Sequence, residues 1–117
     1  NGTYLNIMKE MLEENVCDCM KDLKTRVERM IALYEEALEK VKASECQDTI
    51  DFLARRLYNM TAGIVECLLL IQDTSKAPEL FKKSANVFVR MTEEEVAGCT
   101  AYIKAFDCKE LEYFKTM

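Results

Sequence analysis

The stretch that decides the fold is residues 20–41, MKDLKTRVERMIALYEEALEKV. Its apolar side chains recur in alternating steps of three and four residues, the spacing that places them on one face of an α-helix. Charged side chains occupy the other faces. The pattern therefore predicts a long amphipathic helix that packs against another helix through a stripe made of Met20, Leu23, Val27, Met30, Tyr34, Leu38 and Val41.

A second apolar stripe with the same spacing follows after a few residues. Ser44 stands three residues before Gln47, a capping-box pattern that predicts a helix start there. Because so few residues separate the two stripes, we predict that the helices form an antiparallel hairpin. The second stripe consists of Cys46, Ile50, Leu53, Leu57, Met60, Ile64, Cys67 and Ile71.

Shorter helices are predicted on both sides of this hairpin. A brief amphipathic helix spans residues 3–15, and Pro78 favours a new helix over residues 77–89. Thr92 and Glu95 form a second capping box, which predicts another helix through about Phe106. The predicted fold is all-α: one disulfide-stapled helical bundle, residues 1–117, built on a long antiparallel hairpin with shorter C-terminal helices.

Composition narrows the class of protein further. A chain of 117 residues with three Gly and one Pro has room for one domain and too few turn signals for a β-sandwich. The net charge of -5 disfavours nucleic acid and anionic membranes as partners. The longest apolar run, residues 67–71, is much shorter than a membrane span, so we predict no membrane insertion.

Six cysteines in a chain of this size indicate disulfides and an oxidising compartment, so we predict a secreted protein. Sequons at Asn1 and Asn59 are possible N-glycosylation sites. A redox pair at Cys17 and Cys19 is an alternative that we favour less than structural cross-links. The hairpin favours a bond from that dyad to Cys67, with the other pairings left open; the predicted half-cystines are Cys17, Cys19, Cys46, Cys67, Cys99 and Cys108.

Catalytic chemistry has little support in the sequence. There is no His for acid–base catalysis or for a zinc site, and no Gly-rich phosphate loop. The acidic run at residues 93–95 is explained by a helix start. We therefore predict a protein that is not an enzyme, with no catalytic residues, no metal site and no cofactor.

Apolar positions outside the two stripes are candidates for binding. A partner-binding face is one interpretation, and contact with the C-terminal helices is the other; the residues are Phe52, Tyr58, Val65, Leu69 and Leu70. Met30, Met60 and Phe106 are candidates for lining a hydrophobic ligand cavity, the alternative being that methionines fill the core.

Two families share features with the chain. Residues 59–63, NMTAG, followed by Cys67, resemble a helix of the interleukin-4/interleukin-13 group of short-chain four-helix cytokines. The spacings from Cys19 to Cys46 and from Cys99 to Cys108 are similar to the outer cysteine spacings of arthropod odorant-binding-type carriers. The first resemblance implies a secreted ligand for a receptor, and the second implies an extracellular carrier.

The sequence thus leads to a functional hypothesis with alternatives. We predict a secreted, cytokine-like binding protein that contacts a receptor or host protein through a helical face. The alternative is an extracellular carrier of a small hydrophobic ligand. A gamete, pheromone or host-interaction surface module belongs to a third class, which the sequence does not separate from the first.

Overall fold

The computed structural model describes residues 3–14, 16–44, 46–106 and 113. Within these ranges the secondary structure is helical throughout, with no β-strand, so the all-α prediction is confirmed. A single 3-10 turn, Asp18–Met20, leads into the second helix. The four helices are α1 (Thr3–Leu12), α2 (Lys21–Lys42), α3 (Gln47–Lys76) and α4 (Pro78–Ala105).

The three long helices pack against one another in pairs, and the short α1 lies on α2 and α3. Two ion pairs fix the direction of α2 relative to α4. Arg26 pairs with Glu93, 67 residues later in the sequence, and Glu36 pairs with Lys104, 68 residues later. Because the sequence separation stays nearly constant along the contact, the two helices run parallel. Helix α3 runs antiparallel to both. The bundle is elongated, measuring 52 × 25 × 15 Å.

The core consists of the two predicted stripes together with one face of α4. Met8 is fully buried and anchors α1 on the bundle. The face of α4 that enters the core carries Ala85, Val89, Val96 and Ile103. In the described ranges, no helix combines the length and the apolar character that crossing a membrane would require.

The C-terminal region forms one helix of 28 residues, whereas the sequence predicts two shorter ones. Thr92, the predicted cap of the second helix, is buried, and its hydroxyl donates to the backbone carbonyl of Phe88 at 2.9 Å. A threonine bonded to the carbonyl four residues earlier belongs to a helix interior. The capping-box prediction is wrong here because the buried stripe of α4 continues through Thr92 without interruption.

The turns differ in detail from the prediction. Ser44 lies outside α3, and its hydroxyl accepts a hydrogen bond from the backbone N–H of Cys46 at 3.3 Å. Helix α3 begins at Gln47 and continues to Lys76. Ala77, with φ of −146°, then leaves the helical region immediately before Pro78, as residues before proline commonly do.

The five cysteines in the described ranges are free thiols: Cys17, Cys19, Cys46, Cys67 and Cys99. Cys108 lies outside the described residues. The backbone N–H of Cys17 donates to the hydroxyl of Ser75 at 3.2 Å, so the dyad lies at the height of Ser75. Ser75 lies eight residues after Cys67 on α3, which is about 12 Å along the helix axis at a rise of about 1.5 Å per residue. The stapled form of the bundle is therefore not confirmed and stays a prediction.

The ion pair between Arg26 and Glu93 is expected to contribute to stability in a pH-dependent way. The guanidinium donates through both Nε, at 3.0 Å, and Nη2, and it lowers the pKa of Glu93 from its ordinary value of 4.5. A lowered folded-state pKa gives stability that is present above about pH 4.5 and is lost as the pH falls through the folded pKa. Urea unfolding of Glu93→Gln should show about 1 kcal/mol less stability at pH 7 and no deficit near pH 2.

A double-mutant cycle supplies the control for this prediction. Arg90 and Glu94 form a looser pair at 3.8 Å, with both side chains about three-quarters exposed. Their coupling should be unmeasurable, since exposed pairs of this kind contribute little. Two results would contradict a stabilising role for the Arg26–Glu93 ion pair. One is equal coupling energy in the two pairs, and the other is a loss of stability in Glu93→Gln that persists at pH 2.

Candidate functional site

An apolar groove runs between α3 and α4 on the face that α1 does not cover. Phe88 lines each of its three adjoining cavities, of about 440, 300 and 250 Å³. We call this feature the α3–α4 groove. It is lined by Leu69, Leu70, Ser84, Val87, Phe88 and Met91, with Asn59, Ala62, Gly63 and Thr92 towards one end.

The groove exposes large apolar side chains. Val87 is 60% exposed, Met91 63% and Leu69 49%. Val87 and Met91 stand one helical turn apart on α4, on a face separate from the buried one. Leu80 continues this outer stripe towards the start of the helix. A contiguous apolar patch of this kind on a small domain marks an interaction surface.

Charges border the groove, and most of them are acidic. Glu66 and Asp73 lie on the α3 side and Glu95 on the α4 side. Lys83 is the cation among the lining residues. The rim thus favours a neutral or basic partner and repels a polyanion.

The floor of the groove is set by a close approach of the two helices. A Cβ atom built on Gly63 would lie 3.0 Å from the methyl carbon of Thr92, closer than real Cβ contacts normally are. Cys67, one turn along α3, hydrogen-bonds to the Thr92 side chain, and burial raises the pKa of its thiol to about 11. Cys67 is therefore a packing residue with an unreactive thiol.

The structure brings together two of the five residues predicted to bind a partner. Leu69 and Leu70 both line the groove. Tyr58 is exposed but does not line it, and Val65 is partly buried against the core. Phe52 stacks on Phe106 with ring centroids 5.4 Å apart, so it serves an intramolecular contact.

The residues on the α4 side of the groove were not predicted from the sequence. Val87, Phe88 and Met91 were not among the predicted binding residues, although a signal was present. Leu80, Val87 and Met91 recur in steps of seven and four, a second helical stripe beside the buried one. Splitting α4 into two helices concealed it.

The residues predicted to line a ligand cavity occupy separate places. Met30 and Met60 are buried in the core. Phe106 lines a cavity of about 270 Å³ at the end of the bundle, next to Leu53 and Ile103, and neither methionine borders that cavity. Of the two predicted glycosylation sites, Asn59 is exposed at the end of the groove, and Asn1 lies outside the described residues.

Comparison with known proteins gives a consistent result. The family model described as "Acyl-CoA dehydrogenase C terminal" matches residues 1–111. The crystal structure of the acyl-CoA dehydrogenase family protein from Porphyromonas gingivalis is similar to this chain, with 30% identity and a TM-score of 0.85. The match covers 91% of each chain. No curated protein matches the sequence.

These findings correct several predictions. The resemblances to cytokines and to odorant-binding-type carriers are wrong, because they rest on a few residues and two spacings, whereas the family match spans residues 1–111. The predictions of a secreted glycoprotein, of a receptor or host partner and of a hydrophobic-ligand carrier are wrong with them. The prediction of secretion rested on the cysteine count and the others rested on the resemblances, and the match to a dehydrogenase family overturns them.

The prediction that the protein is not an enzyme is also wrong. It considered only acid–base groups and motifs within the chain, and these say nothing about the family to which the fold belongs. The match over residues 1–111 and the similarity to the Porphyromonas gingivalis protein agree on that family. The chain belongs to the acyl-CoA dehydrogenase C-terminal family.

Proposed function

We propose that residues 1–117 act as one C-terminal helical domain of an acyl-CoA dehydrogenase, and that the α3–α4 groove packs against another region of that enzyme. The observation that carries this proposal is the exposed apolar groove centred on Phe88. The family description supplies the partner, since a C-terminal domain works in company with the rest of a dehydrogenase.

The chemistry of the groove favours a protein surface as its occupant. Val87 and Met91 would lose most of their exposed apolar area in such a contact, which is the usual driving force for association. The acidic side chains on the rim would face basic or polar groups at the edge of the interface, an arrangement common at protein–protein contacts. A partner with an apolar ridge flanked by Lys or Arg fits this description.

An acyl-CoA or a flavin dinucleotide fits the groove poorly. Both carry phosphate groups, which proteins hold with Arg, Lys or clustered backbone N–H donors. Among the described residues that line the groove, Glu66, Asp73 and Glu95 outnumber the cation Lys83. We therefore assign no substrate or flavin contact to these residues and derive no chemical step from them.

A pair of substitutions tests the docking proposal. Val87→Asp combined with Met91→Asp places two carboxylates where we expect a dry apolar contact, and unpaired buried charges are strongly unfavourable. Binding of the chain to the catalytic region of the dehydrogenase from the same source, measured by biolayer interferometry, should weaken about 100-fold or more. The free energy of unfolding of the isolated chain should fall by only about 1 kcal/mol, because both positions are exposed and the cost comes from like charges one helical turn apart and from the lower helix propensity of Asp.

Ala97→Asp provides the matched control. Ala97 is exposed on α4 and does not line the groove, so this variant adds one carboxylate to the same helix without touching the proposed interface. It should bind as the unmodified chain does. Equal weakening by both variants, or no binding by the unmodified chain, would contradict the proposal. So would binding of octanoyl-CoA that the groove substitutions abolish.

A further inference from the structure

The Cys17-Asp18-Cys19 segment lies close to all four helices. It connects α1 to α2, contacts the C-terminal end of α3 through Ser75, and lies near Lys82 in the first turns of α4. Cys17 is partly exposed and Cys19 is exposed. Small molecules can therefore reach Cys19 and, in part, Cys17.

The side chains of Cys17 and Cys19 are hydrogen-bonded to each other. Residues two apart in a chain have Cα atoms separated by at most about 7 Å. Disulfides form at Cα separations of about 4.4 to 6.8 Å, so a bond between these two sulfurs needs only a small local adjustment.

Ser75 completes the arrangement around Cys17. Its hydroxyl oxygen accepts the backbone N–H of Cys17 at 3.2 Å, which fixes the segment against α3. The Ser75 side chain also hydrogen-bonds to the Cys17 sulfur. The Cys17 sulfur thus lies next to the Cys19 thiol and the Ser75 hydroxyl, two donors that stabilise a thiolate.

The pKa shifts of the two thiols agree with this geometry. The hydrogen bond from Cys19, and secondarily the one from Ser75, lowers the pKa of Cys17 against the opposing effect of partial burial. The same thiol–thiol hydrogen bond raises the pKa of Cys19. These directions favour Cys17 as the attacking thiol of the pair. An accessible, low-pKa thiol next to a second thiol is typical of redox-sensitive sites.

We propose that Cys17 and Cys19 form a peroxide-reactive dithiol site that closes to an intramolecular disulfide. The Cys17 thiolate attacks a hydroperoxide, forms an S–O bond and breaks the O–O bond, giving a sulfenic acid and, after protonation, water or an alcohol. The Cys19 sulfur then attacks Cys17, forms the S–S bond and displaces a second water, with the Cys19 proton transferred to the leaving hydroxide. The two thiols lose two electrons in total, which the peroxide accepts.

The other described cysteines provide internal comparisons. The pKa of Cys46 is also lowered, chiefly by hydrogen bonds from Thr49. In the described part of the chain, no second cysteine contributes to this shift. Burial raises the pKa of Cys99, as it does for Cys67. Cys46 therefore controls for a reactive thiol without a resolving partner, and Cys67 controls for an unreactive one.

Mass spectrometry after peroxide treatment tests the proposal. The reduced 117-residue protein is treated with one equivalent of hydrogen peroxide, capped with N-ethylmaleimide and digested with trypsin. Cleavage after Lys9 and Lys21 isolates both cysteines in the peptide of residues 10–21. We expect this peptide to lose two hydrogen atoms and to carry no maleimide, while the Cys67 peptide stays fully alkylated.

Two variants separate the steps. In Cys19→Ser the disulfide cannot close, so dimedone should trap a sulfenic acid on Cys17. In Ser75→Ala the alkylation of Cys17 at pH 7 should slow several-fold, while that of Cys46 stays unchanged. Circular dichroism establishes that each variant keeps its helical content, so a loss of reaction reports on the site.

Several results would overturn the proposal. Residues 10–21 carrying two maleimides after peroxide treatment, under conditions where Cys46 is oxidised, would show that the dyad is not the reactive site. A cross-link from Cys17 or Cys19 to Cys67 or Cys108 would show that the dyad serves structural bonds. Unchanged Cys17 alkylation in Ser75→Ala would remove Ser75 from the site.

Discussion

Gly63→Leu is expected to lower the free energy of unfolding by about 2 to 3 kcal/mol, as overpacking of a close helix contact does. A Cβ atom alone at this position meets the methyl carbon of Thr92 at 3.0 Å, and Thr92 belongs to the buried face of α4. A side chain at this position forces the Thr92 methyl carbon, or the helix that carries it, to shift. Chemical denaturation followed by circular dichroism measures the loss.

Gly98→Leu is the matched control for this substitution. Gly98 is also a helical glycine, on α4, but a Cβ atom built there meets no atom within 4 Å. Leucine has a higher helix propensity than glycine, so this variant should gain up to about 1 kcal/mol. Opposite signs at the two positions are the expected result. Similar losses of unfolding free energy at both positions would mean that the close contact between Gly63 and Thr92 does not cause the destabilisation.

The contact partner can be tested by coupling. Thr92→Ser removes the methyl carbon but keeps the hydroxyl that donates to the Phe88 carbonyl. The cost of Gly63→Ala should therefore fall in the Thr92→Ser background, with a coupling energy of about 1 kcal/mol. Strictly additive effects would contradict a direct clash between these two side chains.

Met60→Ala is expected to cost about 3 kcal/mol of stability. Met60 is fully buried in the interior of the bundle, and replacing a buried Met with Ala removes apolar contacts and leaves a cavity. Met91→Ala makes the same chemical change at a side chain that is 63% exposed in the groove. It should alter the free energy of unfolding by less than about 0.5 kcal/mol.

This comparison also tests the role of Met60. A core residue gives a large loss, whereas a side chain lining an open ligand cavity would lose little when shortened, because fewer atoms contact it. Similar small losses at Met60 and Met91 would contradict the packing described above. Denaturant unfolding of the two variants, with unchanged m-values, is the measurement.

Much of the fold was predictable because its signals are local. The stripes at residues 20–41 and 46–71 recur in helical steps, and they became the buried faces of α2 and α3. The continuity of α4 was not predictable in this way. Thr92 followed by Glu95 satisfies a capping pattern, but burial of Thr92 against Gly63 decides that the helix continues. Sequence spacing carries no information about that contact.

The groove depends on which helices lie next to one another. Leu69 and Leu70 were found because they fall outside the stripe of α3, yet Val65 and Phe52 share that property and pack internally. Helix α1 covers α2 and α3, so in the described part of the chain the face between α3 and α4 is left uncovered. Periodicity identifies apolar faces, but only the packing order shows which one stays exposed.

The disulfide prediction stays untested, because a count of cysteines carries no information about their positions. An even number of cysteines in a small chain is typical of disulfide scaffolds, but position decides whether two of them can meet. Cys67 faces Thr92 on α4, and Cys17 lies against Ser75 about 12 Å away along α3. The pairing of the dyad with Cys67 therefore remains a prediction that the described thiols do not confirm.

Hydroxyl-radical footprinting of the chain, alone and in the proposed assembly with the rest of a dehydrogenase, tests the central claim most directly. In the isolated chain Met91, Val87 and Tyr58 are each at least 60% exposed and should all be modified. Within the assembled enzyme the modification rates of Met91 and Val87 should fall about tenfold, as for apolar side chains buried in an interface core. Tyr58, outside the groove, should react at its original rate. Unchanged rates at Met91 and Val87 would show that the groove is not where this domain meets its enzyme.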